Sequence, residues 1–311
     1  MQLNTFGTNI RLTTFGESHG PAMGGVLDGF PSGFKINFDA LNALLAERRP
    51  SHRAEPDAVE FLSGILDGVT LGTPIAFIVR NVDARPEDYD NLRHVYRPSH
   101  ADITYDLRYG IRDHRGGGRA SGRETVSRVV AGGLALQWLA KSNDVSVETS
   151  VTIPVRDIPE GDSAGGVVHC TIKGMPKGKG DPLFHKVQAS LAEAMLSIPA
   201  CRGFQYGRGF AAASMLGSQH NDPMHYDADG TLHFDKNDAA GLLGGITTGE
   251  EIYFDVAFKP TPSIAIPQHT ITDDGKITTL SIHGRHDRCI AKRAAVVVKA
   301  MTALVLMDYC L

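Results

Sequence analysis

Apolar residues recur at helical spacing in four stretches of this chain. Over residues 39–48, Leu41, Leu44 and Leu45 form one stripe, closed by Pro50. Over about 123–141, Val126, Val130, Leu134 and Trp138 fall at four-residue steps. Asp181-Pro182 reads as an N-cap and first-turn pair for a helix using Val187, Leu191 and Met195, ending before Pro199. The last stretch, about 293–309, is apolar on nearly every face, which predicts a helix buried in the fold or in an interface. Alternation marks strands instead. It is clearest at Ile252, Phe254, Val256 and Phe258, and residues 75–79 and 167–172 are further strand candidates.

Parts of this pattern occur twice. Gly29-Phe-Pro-Ser-Gly33 matches Gly174-Met-Pro-Lys-Gly178. The twelve residues from Gly68 to Val79 match those from Gly245 to Val256 at six positions, all Gly, Thr or strand-core residues. Two matches in the same order point to a duplicated strand–helix–strand unit, about 24–81 and 166–260. No linker or charge block divides the chain, so a single domain over 1–311 is expected, α+β, with helices and sheets in layers and the helices inside.

Composition narrows the function. The hydrophobic content of 42% and charged content of 21% are ordinary for a globular protein with ample core. A net charge of −4 argues against a nucleic-acid-binding surface. The four cysteines show no C-x-x-C spacing, and the thirteen histidines form no H-x-x-x-H, so no metal site is expected. The first residues lack the basic and apolar regions of a secretory signal, and no apolar run approaches the ~20 residues that span a bilayer. A cytoplasmic protein without membrane partners is the expectation.

Against that neutral background one segment stands out. Between Arg93 and Arg128 lie eight arginines, three histidines and no lysine, with Asp102, Asp106, Asp113 and Glu124 offsetting only part of the charge. Arginine's planar fork suits bidentate binding of phosphate or carboxylate. The run enters Gly116-Gly-Gly118 and then Ser121-x-x-Glu124, which reads as a capping box opening a helix. Glycine loop, helix start and arginines together predict a site for a small, multiply charged anion.

Other motifs admit two readings each. In Gly16-Glu17-Ser18-His19-Gly20, the histidine is sterically open and suited to proton transfer near neutral pH, or is a loop residue without a role. A serine-hydrolase elbow is disfavoured, because no clear strand-to-helix turn surrounds the motif. His100, inside the arginine run, is a proton donor or a packing residue. Arg48-Arg49-Pro50 either complements a helix dipole or clamps an anion. Lys259-Pro260-Thr261-Pro262-Ser263 offers donors to a phosphate on a loop stiffened by proline. Asp287, before the terminal helix, reads by default as its N-cap.

Taken together these motifs resemble the chorismate synthase family. The resemblance rests on Thr14 to Gly20, Arg48-Arg-Pro50, Glu55-Pro-Asp57, Leu62-Ser-Gly64, Arg97 to Asp102, Arg112 to Glu124, Gly241 to Gly245, Lys259-Pro-Thr261 and Gly284-Arg-His-Asp287. It implies a β-α-β sandwich with central helices and a homotetramer. The implied reaction is 1,4-trans elimination of phosphate from 5-enolpyruvylshikimate 3-phosphate, needing reduced FMN without net redox change, with NADPH a possible reductant. By resemblance, His19 protonates the departing phosphate, His100 protonates reduced flavin, and Asp287 acts with the flavin on the substrate proton. Ser18, Arg48 and Arg53 would bind substrate. Arg119, Ala120, Ser121, Pro199, Ala200, Gly244, Lys259, Pro260, Thr261, Pro262, Ser263 and Arg285 would hold the flavin.

The chain also departs from that family's pattern. The loop at residues 50–55 is short, and a segment expected between Pro154 and Gly161 is missing. Arg288 replaces a proline, Lys299 a glutamate, Gly122 an alanine, Pro199 an asparagine and Pro262 a serine. Two other functions therefore stay open. One is a flavin- or phosphate-binding relative with weakened catalysis. The other is a phosphate-ester hydrolase using His19 and the arginines, which would release phosphate without flavin.

Overall fold

The computed structural model describes residues 4–49, 57–82, 86–282 and 287–311. Its first sheet is built from the N-terminal third. The strands β1 (Thr5–Phe6), β2 (Arg11–Gly16) and β3 (Ala22–Asp28) precede helix α1 (Phe38–Arg48). Then come β4 (Val59–Phe61), the hairpin β5 (Ile65–Leu66) and β6 (Val69–Thr70), and β7 (Ile75–Arg80). The order is β1-β2-β3-β7-β4, every pair antiparallel.

Helices α2 (Asp102–Tyr109) and α3 (Thr125–Asn143) lead to the second sheet. It contains β8 (Ser146–Thr152) and β9 (Gly166–Lys173), followed by α4 (Val187–Leu196) and β10 (Cys201–Tyr206). An excursion holds the short helix α5 (Gly217–His220) and two hairpins, β11 (Met224–Tyr226) with β12 (Leu232–Phe234) and β13 (Leu242–Leu243) with β14 (Ile246–Thr247). Strand β15 (Ile252–Phe258) then completes the order β10-β15-β9-β8, again antiparallel. A last hairpin, β16 (Gln268–Ile271) with β17 (Ile277–Leu280), precedes α6 (Ala291–Cys310).

Strand periodicity decides which way each sheet faces. Ile75, Phe77 and Val79 of β7 are buried, as are Val168, Cys170 and Ile172 of β9 and Ile252, Phe254 and Val256 of β15. These faces turn toward the helices. Helix α3 lies against β2, β3 and β7, α6 lies against β8 and β9, and the two helices make the most extensive contact in the fold. The chain is thus a β-α-β sandwich with its helices in the middle, as the pattern predicts. The position of α6 explains its apolar sequence, since Val296, Val297 and Val298 face core in different directions, as do Leu304, Val305 and Leu306. A side chain at Gly132 of α3 would sit 2.4 Å from the carbonyl oxygen of Ala300 in α6, so glycine is what lets the two backbones approach. No helix among the described residues is long and apolar enough to cross a membrane.

Three expected helix starts move. The helix expected from Asp181 begins only at Val187, because the Asp181 carboxylate accepts from the Leu183 amide at 3.0 Å and holds a local turn. Ser121 does not form a capping box with Glu124. Its hydroxyl accepts from the Arg123 amide at 3.2 Å and caps a single 3₁₀ turn, Gly122–Glu124, after which α3 begins at Thr125. Glu124 instead accepts from Arg128 at 3.0 Å and from the Thr14 hydroxyl at 3.2 Å. Asp287 is not the cap of α6, whose N-cap position is Ile290; it faces Arg293.

Candidate active site

The turn 17–20 joins β2 to β3 and carries Ser18 and His19. Ser18 is buried, and its hydroxyl lies 3.1 Å from His19 Nδ1. The imidazole packs edge-on to Tyr89, with ring centroids 4.7 Å apart. The glycine loop lies against it as well. A side chain at Gly116 would fall 2.3 Å from His19 Nδ1, and this residue has φ +113°, so only glycine fits.

Gly116 connects the two predicted histidines. Its carbonyl accepts from Arg97 at 3.0 Å, and buried Arg97 forks onto Asp102 at 2.9 and 2.7 Å. That pair closes the turn holding His100, whose Nε2 lies 2.9 Å from the Ser263 hydroxyl. Beside it, Lys259 Nζ donates to the Ser99 carbonyl at 2.5 Å, while the Lys259 amide donates to Ala200 at 3.0 Å. The structure therefore brings segments 97–102, 199–200 and 259–263 together. Pro199 also lines a small cavity with Arg48, Gly122, Thr125 and Arg293.

Asp287 is reached from a different side. Its carboxylate accepts from Arg293 Nη1 at 2.5 Å, and Arg293 Nε donates to the Arg48 carbonyl at 2.8 Å. Asp287 opens onto a cleft of about 410 Å³ whose walls include Arg49, Arg156, Arg288 and Lys292. Gly244 forms the turn between β13 and β14, with open space where a side chain would point. Arg53 and Arg285 lie outside the described residues.

The arginine run differs in role from its sequence reading. Arg97, Arg112, Arg115, Arg119, Arg123 and Arg128 all bond to protein carboxylates, carbonyls or hydroxyls. Arg112, for example, donates to the carbonyls of Leu92 and Arg93, and Arg119 to the Thr14 hydroxyl at 2.5 Å. Much of the run thus pins the loops around the histidines, with its forks spent on internal acceptors. Arg48 is likewise buried, at 1% exposure, with Nη2 2.6 Å from Asp57.

Electrostatics follow from this packing. Burial alone would raise the Asp57 carboxyl, but Arg48 and Arg123 outweigh it and hold it below the usual carboxylate range. The same balance, with Arg97 as the cation, keeps Asp102 low. Burial lowers Arg48, against the pull of Asp57. Glu17 moves the other way, raised by burial despite Arg119. Lys259 is lowered by burial and by Arg202, and a bound anion would push it back up.

These residues fit an anionic cofactor rich in acceptors. Thr261 Oγ1 is buried and has no hydrogen-bond partner among the described residues, on the same loop that carries Lys259 and Ser263. A buried hydroxyl of this kind is costly unless something else bonds to it. Nothing in the sequence singles out Asn81, Tyr89 or Arg293; Arg123 is marked only as one arginine of the run, and Asp57 stands without a role.

The chain is similar to known proteins over nearly its whole length. The family model described as Chorismate synthase matches residues 10–156 and 155–311. The chain is 45% identical to the chorismate synthase of Phocaeicola vulgatus over 348 aligned positions, covering 98% of this chain and 97% of that protein. Its identity to the chorismate synthase of Synechococcus sp. strain RCC307 is 43%, covering 99% and 98%. These alignments are longer than the 311-residue chain, so the relatives carry insertions that it lacks. A crystal structure of chorismate synthase superposes with a TM-score of 0.75 at 26% identity, covering 97% of this chain and 92% of that one.

Proposed function

The chain belongs to the chorismate synthase family, and from that premise we propose that it converts 5-enolpyruvylshikimate 3-phosphate to chorismate and phosphate with reduced FMN. The reaction is a carbon–oxygen lyase step: the phosphate leaves with its bonding pair, a ring proton is lost at the 1,4-position, and a conjugated diene forms. The observation that supports this reading best is the cluster in which Gly116 lies against His19 and is bonded through Arg97 to the turn of His100, which in turn bonds Ser263 of the 259–263 loop.

In this reading His19 donates a proton from its ring to the departing phosphate oxygen. Ser18 Oγ lies beside Nδ1 and helps set the ring's orientation, and Tyr89 fixes the ring edge-on. His100 holds a proton toward the cofactor, with Ser263 on Nε2. The Asp287 carboxylate takes part in removing the ring proton, and Arg293 keeps it aimed. Ser18, Arg48 and Arg53 serve the substrate. Arg119, Ala120, Ser121, Pro199, Ala200, Gly244, Lys259, Pro260, Thr261, Pro262, Ser263 and Arg285 hold the flavin, the Lys259 ammonium and Thr261 hydroxyl being its polar anchors. When bound, reduced FMN supplies electron density that eases loss of phosphate. The protein acts as a cytoplasmic homotetramer, with NADPH or an outside donor as the reductant.

Anaerobic turnover with 5-enolpyruvylshikimate 3-phosphate and chemically reduced FMN tests this. Chorismate and phosphate should appear in equal amounts and only with flavin. A folded, FMN-binding preparation that forms no chorismate would overturn the assignment, and phosphate release without flavin would replace it with a hydrolase.

A further inference from the structure

Asn81 follows directly on β7 and uses all of its side-chain hydrogen-bonding groups. Its Nδ2 donates to two carbonyls at opposite ends of the His19 turn, Glu17 at 3.1 Å and Gly20 at 2.8 Å. Its backbone amide donates to Pro21 at 3.1 Å, so one residue spans the turn and its exit. Its Oδ1 accepts from Arg123 Nε at 2.9 Å, which fixes the orientation of the amide. Arg123 is held in turn by Asp57, a fully buried carboxylate whose other oxygen receives Arg48. From Arg48 the chain of bonds continues through its carbonyl to Arg293 and so to Asp287.

We propose that Asn81 is a positioning residue for His19, and that Asp57 and Arg123 hold it in place, so that the His19 turn and the Asp287 carboxylate share one bonded frame. The turnover part of its test rests on the proposed reaction; the spectroscopic part does not. Asn81 touches the backbone on either side of His19 and takes no part in the imidazole's own contacts with Ser18 and Tyr89. Without the two donors, the Glu17 and Gly20 carbonyls lose their clamp, and the turn that carries the ring loses its anchor to β7. Small misplacements of a proton donor cost rate more than binding.

The test compares Asn81→Ala with the unmodified protein in two measurements. In turnover with reduced FMN, kcat should fall on the order of a hundredfold with KM little changed. The same substitution on a His19→Ala background should cost almost nothing further, because both changes remove one function. In ¹³C spectra of histidine-labelled protein, the His19 Cε1 resonance, assigned by its loss in His19→Ala, should shift or broaden. Asn81→Asp provides the second variant. It keeps an acceptor for Arg123, and with it the fold, but loses both donors, and should show the same insensitivity to the His19→Ala background. An equal loss on both backgrounds, or an unmoved His19 resonance in a variant of reduced Tm, would overturn the positioning role and leave Asn81 a structural residue. If the unmodified protein forms no chorismate, the proposed reaction fails while the resonance still decides the role of Asn81.

Discussion

Asp57 shows what single residues do in this protein. It is buried between two guanidiniums, from Arg48 and Arg123, that approach from different parts of the chain. Removing a partner from such a group strands charge in the interior, so Asp57→Asn should cost about 3–5 kcal/mol of stability in chemical denaturation. The pH dependence has a definite sign. The folded carboxyl is held below its usual range, so the stabilisation is present above the unfolded carboxyl value of about 3.9 and is lost as pH falls through the lower folded value. Asp57→Asn should therefore flatten the stability profile below about pH 4 while lowering it at neutrality. None of this was legible in sequence. Asp57 precedes no helix or strand signal, and its partners lie 9 and 66 positions away. His19 and His100 stand out in the sequence, because an open histidine beside glycine or within a cationic run is locally unusual. The purpose of the arginines was only half legible. Their forks were expected, but composition cannot tell an internal carbonyl from a bound phosphate.

Elements were read most accurately where burial is one-sided and least accurately at their ends. Strand β15 and helices α1 and α6 match their predicted spans closely, because alternation and apolar stripes report a face turned to the core. The starts of α3 and α4 were misplaced because Ser121 and Asp181 spend their side chains on tight local turns. Those turns make α3 testable. Gly122 has open space where a side chain would point and no positive φ, so Gly122→Ala should stabilise the protein by about 0.4–1 kcal/mol, read as a higher Tm. Gly132, in the same helix, predicts the reverse. A methyl group there meets the Ala300 backbone, and Gly132→Ala should push α3 from α6 at a cost of about 1–3 kcal/mol in urea unfolding. The opposite signs distinguish a glycine kept for contact from one that a local turn tolerates.

At the scale of the whole molecule, the two sheet halves share detail that neither fold class nor composition requires. Thr70 Oγ1 donates to Pro31 at 2.6 Å and accepts from the Phe34 amide at 3.0 Å. Thr247 Oγ1 donates to Pro176 at 2.6 Å and accepts from the Lys179 amide at 2.9 Å. The backbones repeat as well, with Gly33 bonded to Thr70 and Gly178 to Thr247, each at 2.8 Å. We read these as corresponding positions of a duplicated unit whose hairpin is buckled to the loop after the preceding strand. Arg288, at the start of the last described segment, donates to the Ile158 carbonyl in the loop before Gly161, a contact with no counterpart in this pairing among the described residues. The shared arrangement has an energetic consequence. Both threonines are buried, at 2% and 4% exposure, and each bonds two backbone groups through its hydroxyl. Thr70→Val and Thr247→Val keep the shape and delete those bonds, so each should cost about 1–3 kcal/mol by the stranded carbonyl and amide. Because the sites lie in separate sheets with no shared partner, the double variant should lose the sum to within about 0.5 kcal/mol. Equal and additive losses in urea unfolding are the expected outcome. A large loss at one threonine and none at the other would show that only one buckle still carries the fold, and that the two halves have diverged in what holds them.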